Sequence, residues 1–157
     1  ASGPVVASHS NCRAIVPGDR QITDDMIRAI ASRGGVIGLN FYDEFLLPPD
    51  QYKKRKCRLS DVIAHVKHLA DMLGTTRHIG LGTDMDGGVG RDDLPQELTT
   101  SADLPRVVEA LNAAGFDDDD VTGIMSGNWL TFFRSVAATD LTQRFQRSQR
   151  SQRRRRR

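Results

Sequence analysis

The sequence predicts an α/β fold with a parallel sheet, and three observations support that class. Short apolar runs of strand length alternate with segments of helical periodicity, in the order β-α-β-α-β-α-α. Strands separated by helices are joined by right-handed crossovers, and such strands pair in parallel. The run VIGLNF, residues 36–41, is continuously apolar until its last residues, which is typical of a strand covered on both faces.

The first half of the chain supplies two of the strands. The segment from Val5 to Ala7 predicts a short buried strand. A helix is expected after Thr23, since this residue type caps helices and two aspartates in the next turn favour the helix dipole. Gly34 ends that helix, and residues 36–41 form the second strand. We expect residues 42–58 to form a loop, in which the basic run KKRK is either an anion patch or, as we favour, a solvated surface.

The second half repeats the alternation. Ser60 is expected to cap a long helix that ends at Gly74, with its apolar positions on one face. The run HIGLGTDM, residues 78–85, predicts the third strand, and a glycine-rich loop follows it. A helix is expected to start near Pro105. A short helix then follows the aspartates at 117–120, a break is expected at Gly127–Asn128, and residues 129–136 form a final apolar helix.

The bulk composition excludes several classes of protein. The chain has the length of one ordinary domain, and no apolar run approaches the length of a membrane span. Two cysteines are too few for a disulfide scaffold and fit a reduced compartment, so a cytoplasmic location is favoured although the sequence does not fix it. Because the chain begins with Ala1 immediately before a strand, we expect it to be cut from a longer protein.

The charge is divided between two parts of the chain. Residues 144–157 contain eight arginines and no acidic residue, and without them 14 basic residues face 20 acidic ones, a net charge of about −6. We expect an ordered domain over residues 1–139 and a disordered Arg-rich tail over residues 140–157. Such a tail could bind nucleic acid or an anionic surface, but a merely solvated tail or a spurious gene end is the favoured interpretation.

Polar side chains follow each predicted strand. His9 follows the first strand, Asn40 and Tyr42 end the second, and Asp84 ends the third. In parallel α/β folds the functional site lies at the carboxyl ends of the strands, so these side chains are expected to face one mouth. His9 is a candidate metal ligand, with a core histidine bonded to Ser8 or Ser10 as the alternative. Asp84 is a candidate metal ligand or proton acceptor.

Arg20 lies in the loop after His9. Its guanidinium suits a substrate carboxylate, but a salt bridge to Asp19 or Asp24 is an equally good interpretation of the spacing. Three other patterns are disfavoured. These are a metal pair of His65 on the helix flank and His68 facing solvent, a thiol nucleophile at Cys12, and a phosphate loop in GTDMDGGVG.

Four segments in order carry a family resemblance: SHSNCRA, DRQITDDMIRAIASRGGVIGLNFY, HIGLGTDMDGG and GNWLTFF. Together they closely resemble the C-terminal part of the membrane (renal-type) dipeptidases, peptidase family M19, over residues 4 to about 136. The resemblance implies the last part, about strands six to eight with their helices, of a (β/α)8 TIM-barrel metal hydrolase. The family cleaves dipeptides at a centre of two zinc ions, and it often forms homodimers.

The resemblance also implies roles for individual residues. His9 matches a zinc ligand, and Arg20 matches the arginine that holds the terminal carboxylate of the substrate. Asp84 matches the acidic residue that engages the substrate amine and transfers a proton. Asn40 and Tyr42, with Phe41 between them, match a wall of the substrate site.

Two departures from the family pattern follow. Gln21 stands where Asn often follows the arginine, and we expect it to change loop contacts more than chemistry. The other zinc ligands of the family have no counterpart after Ala1. The sequence therefore predicts a zinc-dependent dipeptidase when the barrel is whole and an inactive fragment as it stands. The alternative is a non-catalytic fragment or binding module that contacts nucleic acid or anionic surfaces through its Arg-rich tail.

Overall fold

A computed structural model describes residues 3–86 and 88–138, and the predicted Arg-rich tail lies outside them. The described elements are five named helices and two strands: α1 (Asp24–Ser32), β1 (Ile37–Leu39), α2 (Pro49–Tyr52), α3 (Leu59–Leu73), β2 (Ile79–Leu81), α4 (Pro105–Ala113) and α5 (Asp118–Thr122). The segment expected to be a plain loop over 42–58 contains α2 and a 3-10 turn over Asp43–Phe45.

The sheet is parallel, as the alternation predicted. Ile37 of β1 is paired with Ile79 of β2, and Ala7 adds a parallel bridge on the other side of β1. The Ala7 N–H donates to the Val36 carbonyl at 3.1 Å, and the Ala7 carbonyl accepts from Gly38 at 2.8 Å. The first strand is therefore a single bridge. The prediction that Val5 is buried is wrong, because this side chain lies at the outer edge of the sheet and is 38% exposed.

Helices α1, α3 and α4 contribute to one apolar core with the sheet. The face of α3 that the periodicity predicted is buried, and it packs with side chains of both strands and of the neighbouring helices; the fully buried members include Ile27, Ile37, Leu39, Val62, Leu69, Ile79 and Leu111. The expected cap at Ser60 is wrong, since α3 begins at Leu59 and its N-cap is Arg58, two residues earlier. Its N-terminus is held by the Asp61 carboxylate, which accepts from the Arg58 N–H at 2.9 Å.

The final helical region is continuous where the sequence predicted a break at Gly127–Asn128. A π-helical turn over Gly123–Gly127 joins α5 to a helix over 128–138. The Asn128 amide donates to the Ile79 carbonyl at 2.7 Å, and the Trp129 indole N–H donates to the Leu81 carbonyl at 3.0 Å. These two side chains therefore hold the helix to the sheet and compensate for the irregular turn.

The same contacts cover the outer edge of β2. His78 and Gly82 bond to β1, so the alternation of a parallel ladder turns the carbonyls of Ile79 and Leu81 to the opposite edge. Gly80 is required here, since a Cβ atom at this position would overlap the Trp129 indole. Among the helices of the described ranges, none combines the length and apolar content needed to cross a bilayer.

Candidate active site

The carboxyl ends of the three strand segments converge, and they bring together three of the predicted site residues. The Asn40 amide donates to Oδ2 of Asp84 at 3.0 Å, and Nε2 of His9 lies 3.9 Å from Oδ1 of the same carboxylate. Each residue lies within three positions after the end of its strand segment, so the parallel strand directions place all three at one mouth. Asn40 and Asp84 are 44 residues apart in the sequence, and the parallel pairing of β1 with β2 brings them together in space.

His9 projects into solvent from that mouth. Its side chain is 43% exposed, which contradicts the alternative of a core histidine. Nδ1 lies 2.9 Å from the Ser8 hydroxyl, as that alternative supposed, and this contact orients the ring. Nε2 points toward Asp84 and forms no closer contact in the part of the chain that the structure describes. An imidazole held at one nitrogen and open at the other has the form of a metal ligand with an oriented ring.

Asp84 is held in an unusual backbone conformation. Its φ angle is +61°, in the left-handed region that residues with a Cβ rarely occupy, and Asp86 follows with φ +65°. The Asn40 side chain, fully buried, connects this turn to the second strand end. Its Nδ2 holds Asp84, and its Oδ1 accepts from the Tyr42 N–H at 2.7 Å. A single amide thus orients both the carboxylate and the start of the next loop.

The aromatic wall differs from the prediction in one position. Tyr42 is half-buried, and its ring meets that of Phe45 edge to face at 4.9 Å between centroids. Burial and the neighbouring Glu44 carboxylate raise the pKa of the Tyr42 hydroxyl. The prediction that Phe41 belongs to the wall is wrong. Its side chain is fully buried in the apolar core on the helix-covered face of the sheet. Phe45 takes its place beside Tyr42.

Arg20 stacks on that wall. Its guanidinium carbon lies 4.8 Å from the centre of the Phe45 ring, a cation–π distance. The alternative salt bridges are not formed: Asp19 lies 3.6 Å from Arg13, and Asp24 lies 2.9 Å from His68. The Arg20 residue is exposed, and within the described residues its guanidinium has no carboxylate partner. Its N–H groups therefore remain available to a ligand.

Two buried amides organise this region, and the sequence singled out only Gln21, as a departure from the family pattern, and not Asn11. Asn11 and Gln21 are 1% and 3% exposed, and the Asn11 N–H donates to Oε1 of Gln21 at 3.2 Å. The Asn11 side chain donates to the Asn40 carbonyl at 3.0 Å and accepts from the Asn40 N–H at 2.9 Å. Buried polar groups are normally paired in this way. Their place beside His9 and Arg20 is the signal by which the sequence could have indicated them.

His65 supports the same loop from the core. It is fully buried, so the prediction of a flank position is wrong, and its Nδ1 accepts from the Cys12 N–H at 3.1 Å. Burial, with a smaller contribution from His68, lowers the pKa of His65 to about 4. His68 was predicted to face open solvent, but it is half-buried and its Nε2 lies 2.9 Å from the Asp24 carboxylate.

The cysteine beside His9 is part of the core. Cys12 has no exposed surface, and burial raises the pKa of its thiol to about 12. A thiolate is the nucleophilic form of cysteine, so neither access nor ionisation suits Cys12 to covalent catalysis.

The donors at this site fit a metal centre only in part. Within residues 3–86 and 88–138, no group of three or more His, Cys, Asp or Glu side chains is placed to hold a metal ion. His9 offers one open nitrogen and Asp84 one neighbouring carboxylate. A zinc site generally requires three or four protein ligands, so these residues fit part of a metal centre and do not complete one.

A comparison with protein families decides the assignment. The sequence model of the family described as "Membrane dipeptidase (Peptidase family M19)" matches residues 1–147. The chain belongs to this family. The strand ends that bring His9, Asn40 and Asp84 together are therefore those of an M19 chain.

Curated relatives extend this finding. The chain is 37% identical over 136 residues to the "Uncharacterized protein in pqqA 5'region" of Klebsiella pneumoniae, a match covering 87% of this chain and 48% of the relative. It is 30% identical over 127 residues to "Dipeptidase aclJ" of Aspergillus oryzae, covering 81% of this chain and 28% of that protein. The M19 chain thus spans about half or less of the length of these relatives.

Solved structures of similar sequence share the fold. One is a metallopeptidase from Rhodobacter sphaeroides liganded with a phosphinate mimic of the dipeptide L-Ala-D-Ala, with 34% identity and a TM-score of 0.71 over 81% of this chain and 34% of that one. Another is the dipeptidase AC, a family M19 metallopeptidase, with 33% identity and a TM-score of 0.72 over 82% of this chain and 36% of that one. This chain has a mixed α/β structure, and its family and similar solved structures include dipeptidases.

Proposed function

We propose that this chain contributes the carboxylate-binding and proton-transferring side of a zinc dipeptidase active site. The observation that carries the proposal is the convergence of His9, Asn40 and Asp84 at the strand ends of an M19 chain. The similar metallopeptidase from Rhodobacter sphaeroides is liganded with a dipeptide mimic, which supports a dipeptide as the substrate class.

His9 would serve as one ligand of a two-zinc centre. Its Nε2 is open, and the Ser8 contact orients the ring. Bound metal ions would supply an activated water and polarise the peptide carbonyl. The described residues do not complete such a centre, and the remaining ligands must come from elsewhere. We therefore propose that the chain forms about strands six to eight of the barrel and is inactive alone.

Arg20 and Asp84 would recognise the two ends of the dipeptide. The exposed guanidinium of Arg20 is stacked on Phe45 and is free to bind the terminal carboxylate in a bidentate manner. The Asp84 carboxylate, oriented by Asn40, would attract the substrate amine and accept or return a proton. Asn40 and Tyr42 would form the wall between them. A fixed separation between the two charged groups would limit the substrate to two residues.

The proposal is tested by hydrolysis of L-Ala-D-Ala. The purified chain with added zinc is expected to show no turnover. The same chain joined to the N-terminal region of the Klebsiella relative is expected to hydrolyse the dipeptide in a zinc-dependent manner. Asp84→Asn should reduce that rate by about a hundredfold or more, the usual contribution of a positioned acid–base group.

Asn112→Asp, an exposed amide change on α4, is the matched control and should leave hydrolysis unchanged. Robust zinc-dependent hydrolysis by the purified chain alone would refute its inactivity. A joined protein that is folded but unaffected by Asp84→Asn would refute the role of Asp84. We also propose that the joined protein forms a homodimer, which sedimentation would test.

A second candidate function concerns the Arg-rich tail. Ranked below the dipeptidase, it is binding of nucleic acid or another anionic surface through the eight arginines of residues 144–157, which have no acidic neighbour. RNA binding should fall steeply between low and moderate salt and disappear when residues 144–157 are deleted. Binding that survives the deletion would exclude the tail as its cause.

A further inference from the structure

Gln21 and Asn11 form a buried amide pair that connects three parts of the candidate site. Besides the bonds to Asn40, Nδ2 of Asn11 donates to the Phe45 carbonyl at 3.1 Å. Nε2 of Gln21 donates to the same carbonyl at 3.3 Å. Two amide donors therefore converge on Phe45, the residue whose ring carries Arg20.

Four successive N–H groups after His9 are each held by a different partner. Ser10 donates to the Gly38 carbonyl, Asn11 to Gln21, Cys12 to His65 and Arg13 to the Ile22 carbonyl; the distances are 2.8, 3.2, 3.1 and 2.9 Å. The second of these partners, Gln21, is adjacent to Arg20 in sequence. The two ends of this loop, which carry His9 and Arg20, are thus joined by the amide pair and not by backbone pairing alone.

From these contacts we infer that Gln21 is a positioning residue that sets the distance between the Arg20 guanidinium and the His9–Asp84 mouth. Gln21 does not touch the proposed substrate. It fixes Phe45 through the carbonyl and so fixes the ring beneath Arg20, while its Oε1 holds the start of the His9 loop. The pair therefore determines which substrate length can reach both charged groups. The inference rests on the proposed function in one respect, that Arg20 receives the terminal carboxylate.

The position of Arg20 is measured first, without any substrate. Protons of the Arg20 side chain over the Phe45 ring should show ring-current shifts by NMR in the purified chain.

Gln21→Met keeps the size of the side chain but removes the donor to Phe45 and the acceptor for Asn11, and it should abolish most of that shift. Gln21→Glu keeps an acceptor for the Asn11 N–H but puts a carboxylate oxygen, which repels the Phe45 carbonyl, in place of the amide donor, and it should do the same. Gln96→Glu, an exposed glutamine, is the control and should leave the shift unchanged. Folding of each variant is checked by urea unfolding.

The second measurement compares L-Ala-D-Ala with its C-terminal amide as ligands of the joined protein described above. The unsubstituted protein should bind the free acid roughly tenfold more tightly or better, the value of a charged hydrogen bond. In Gln21→Met this preference should fall toward unity, with a raised KM for the free acid and a smaller change in kcat. A merely structural role would lower the amount of folded protein without changing the ratio.

The outcomes separate the two proposals. Arg20 shifts that are unchanged in both folded Gln21 variants would overturn the positioning role. A preference for the free acid that is unchanged in folded Gln21→Met would overturn it as well. Equal binding of acid and amide by the unsubstituted protein would instead overturn Arg20 as the carboxylate anchor, and the NMR result would still decide whether Gln21 positions it.

Discussion

Two loops at the same end of the sheet are built in opposite ways. The first loop, residues 9–22, is held by buried amides, a buried imidazole and four successive backbone N–H bonds. The third loop, residues 82–86, contains two non-glycine residues with positive φ, and its carboxylate is held by Asn40. The first loop carries a candidate ligand and the carboxylate anchor, and the third carries the candidate proton carrier.

The difference indicates where the chain is already organised for its proposed role. Groups that must stay at fixed distances from one another, His9 and Arg20, lie on a loop whose geometry is determined by several independent bonds. Asp84 lies on a strained turn, and strain of this kind accumulates at functional sites because the surrounding structure tolerates it there. Substitutions that remove the side chain in the first loop should therefore lower the free energy of unfolding, and a glycine in the third loop should raise it.

The largest expected effect is that of Asn11→Ala in the first loop. This change removes partners from the N–H and carbonyl groups of Asn40 and one donor from the Phe45 carbonyl. Buried groups left unpaired cost roughly 1–3 kcal/mol each, so the free energy of unfolding should fall by about 3–5 kcal/mol. Urea unfolding measures this.

The matched control is Asn112→Ala on the exposed side of α4, which should change the free energy of unfolding by less than about 0.5 kcal/mol. A loss no larger than that control would show that the first loop is not held by its amides.

A smaller effect is expected from pH, through His65. Its pKa is about 4 in the folded chain and about 6.5 ordinarily, so the unfolded chain binds the proton first as the pH falls. Stability is thus complete above pH 6.5 and is lost as the pH falls toward 4. Between pH 7 and pH 5 the loss should be about 2 kcal/mol, at 1.36 kcal/mol per pKa unit.

His65→Asn provides the comparison for this pH dependence. Its carbonyl oxygen can still accept from the Cys12 N–H, but the side chain does not titrate. Urea midpoints of this variant should change less between pH 7 and pH 5 than those of the parent chain. Equal slopes for the two proteins would contradict a neutral, buried His65 beneath the first loop.

The smallest effect, and one of opposite sign, is expected from Asp86→Gly in the third loop. Glycine adopts a φ of +65° without the steric cost that a Cβ imposes. The free energy of unfolding should rise by about 0.5–1 kcal/mol. Thermal unfolding of the variant and of Asp92→Gly, an exposed change outside that turn, makes the comparison. Destabilisation by Asp86→Gly alone would show that the turn is supported by the aspartate side chain.

Much of this arrangement could be predicted from the sequence, because it depends on local patterns. Alternating apolar runs predicted the parallel pairing, and the polar residues at or near the end of each run predicted that His9, Asn40 and Asp84 share one mouth. The sequence positions of Asn11 and Gln21 beside His9 and Arg20 could indicate a role for them, but their bonding partners could not be predicted. Asn11 bonds to groups 10, 29 and 34 residues away, and polar residue types do not specify distant partners.

Two errors have related physical causes. His65 was assigned to the helix flank by periodicity, but a hydrogen bond to a loop 53 residues away makes its burial favourable. Residue propensity predicts that the helix breaks at Gly127–Asn128. Tertiary bonds from Asn128 and Trp129 to the sheet stabilise it through a π-helical turn.

The side chains of Asn128 and Trp129 also have a consequence for assembly. They occupy the backbone acceptors along one side of the sheet, whereas Val5 and Val6 border the other side and remain exposed. Open strand edges are where chains add to one another. A sheet that can accept a neighbour on one side only can form a pair, but it cannot extend into a fibre by repeated edge addition.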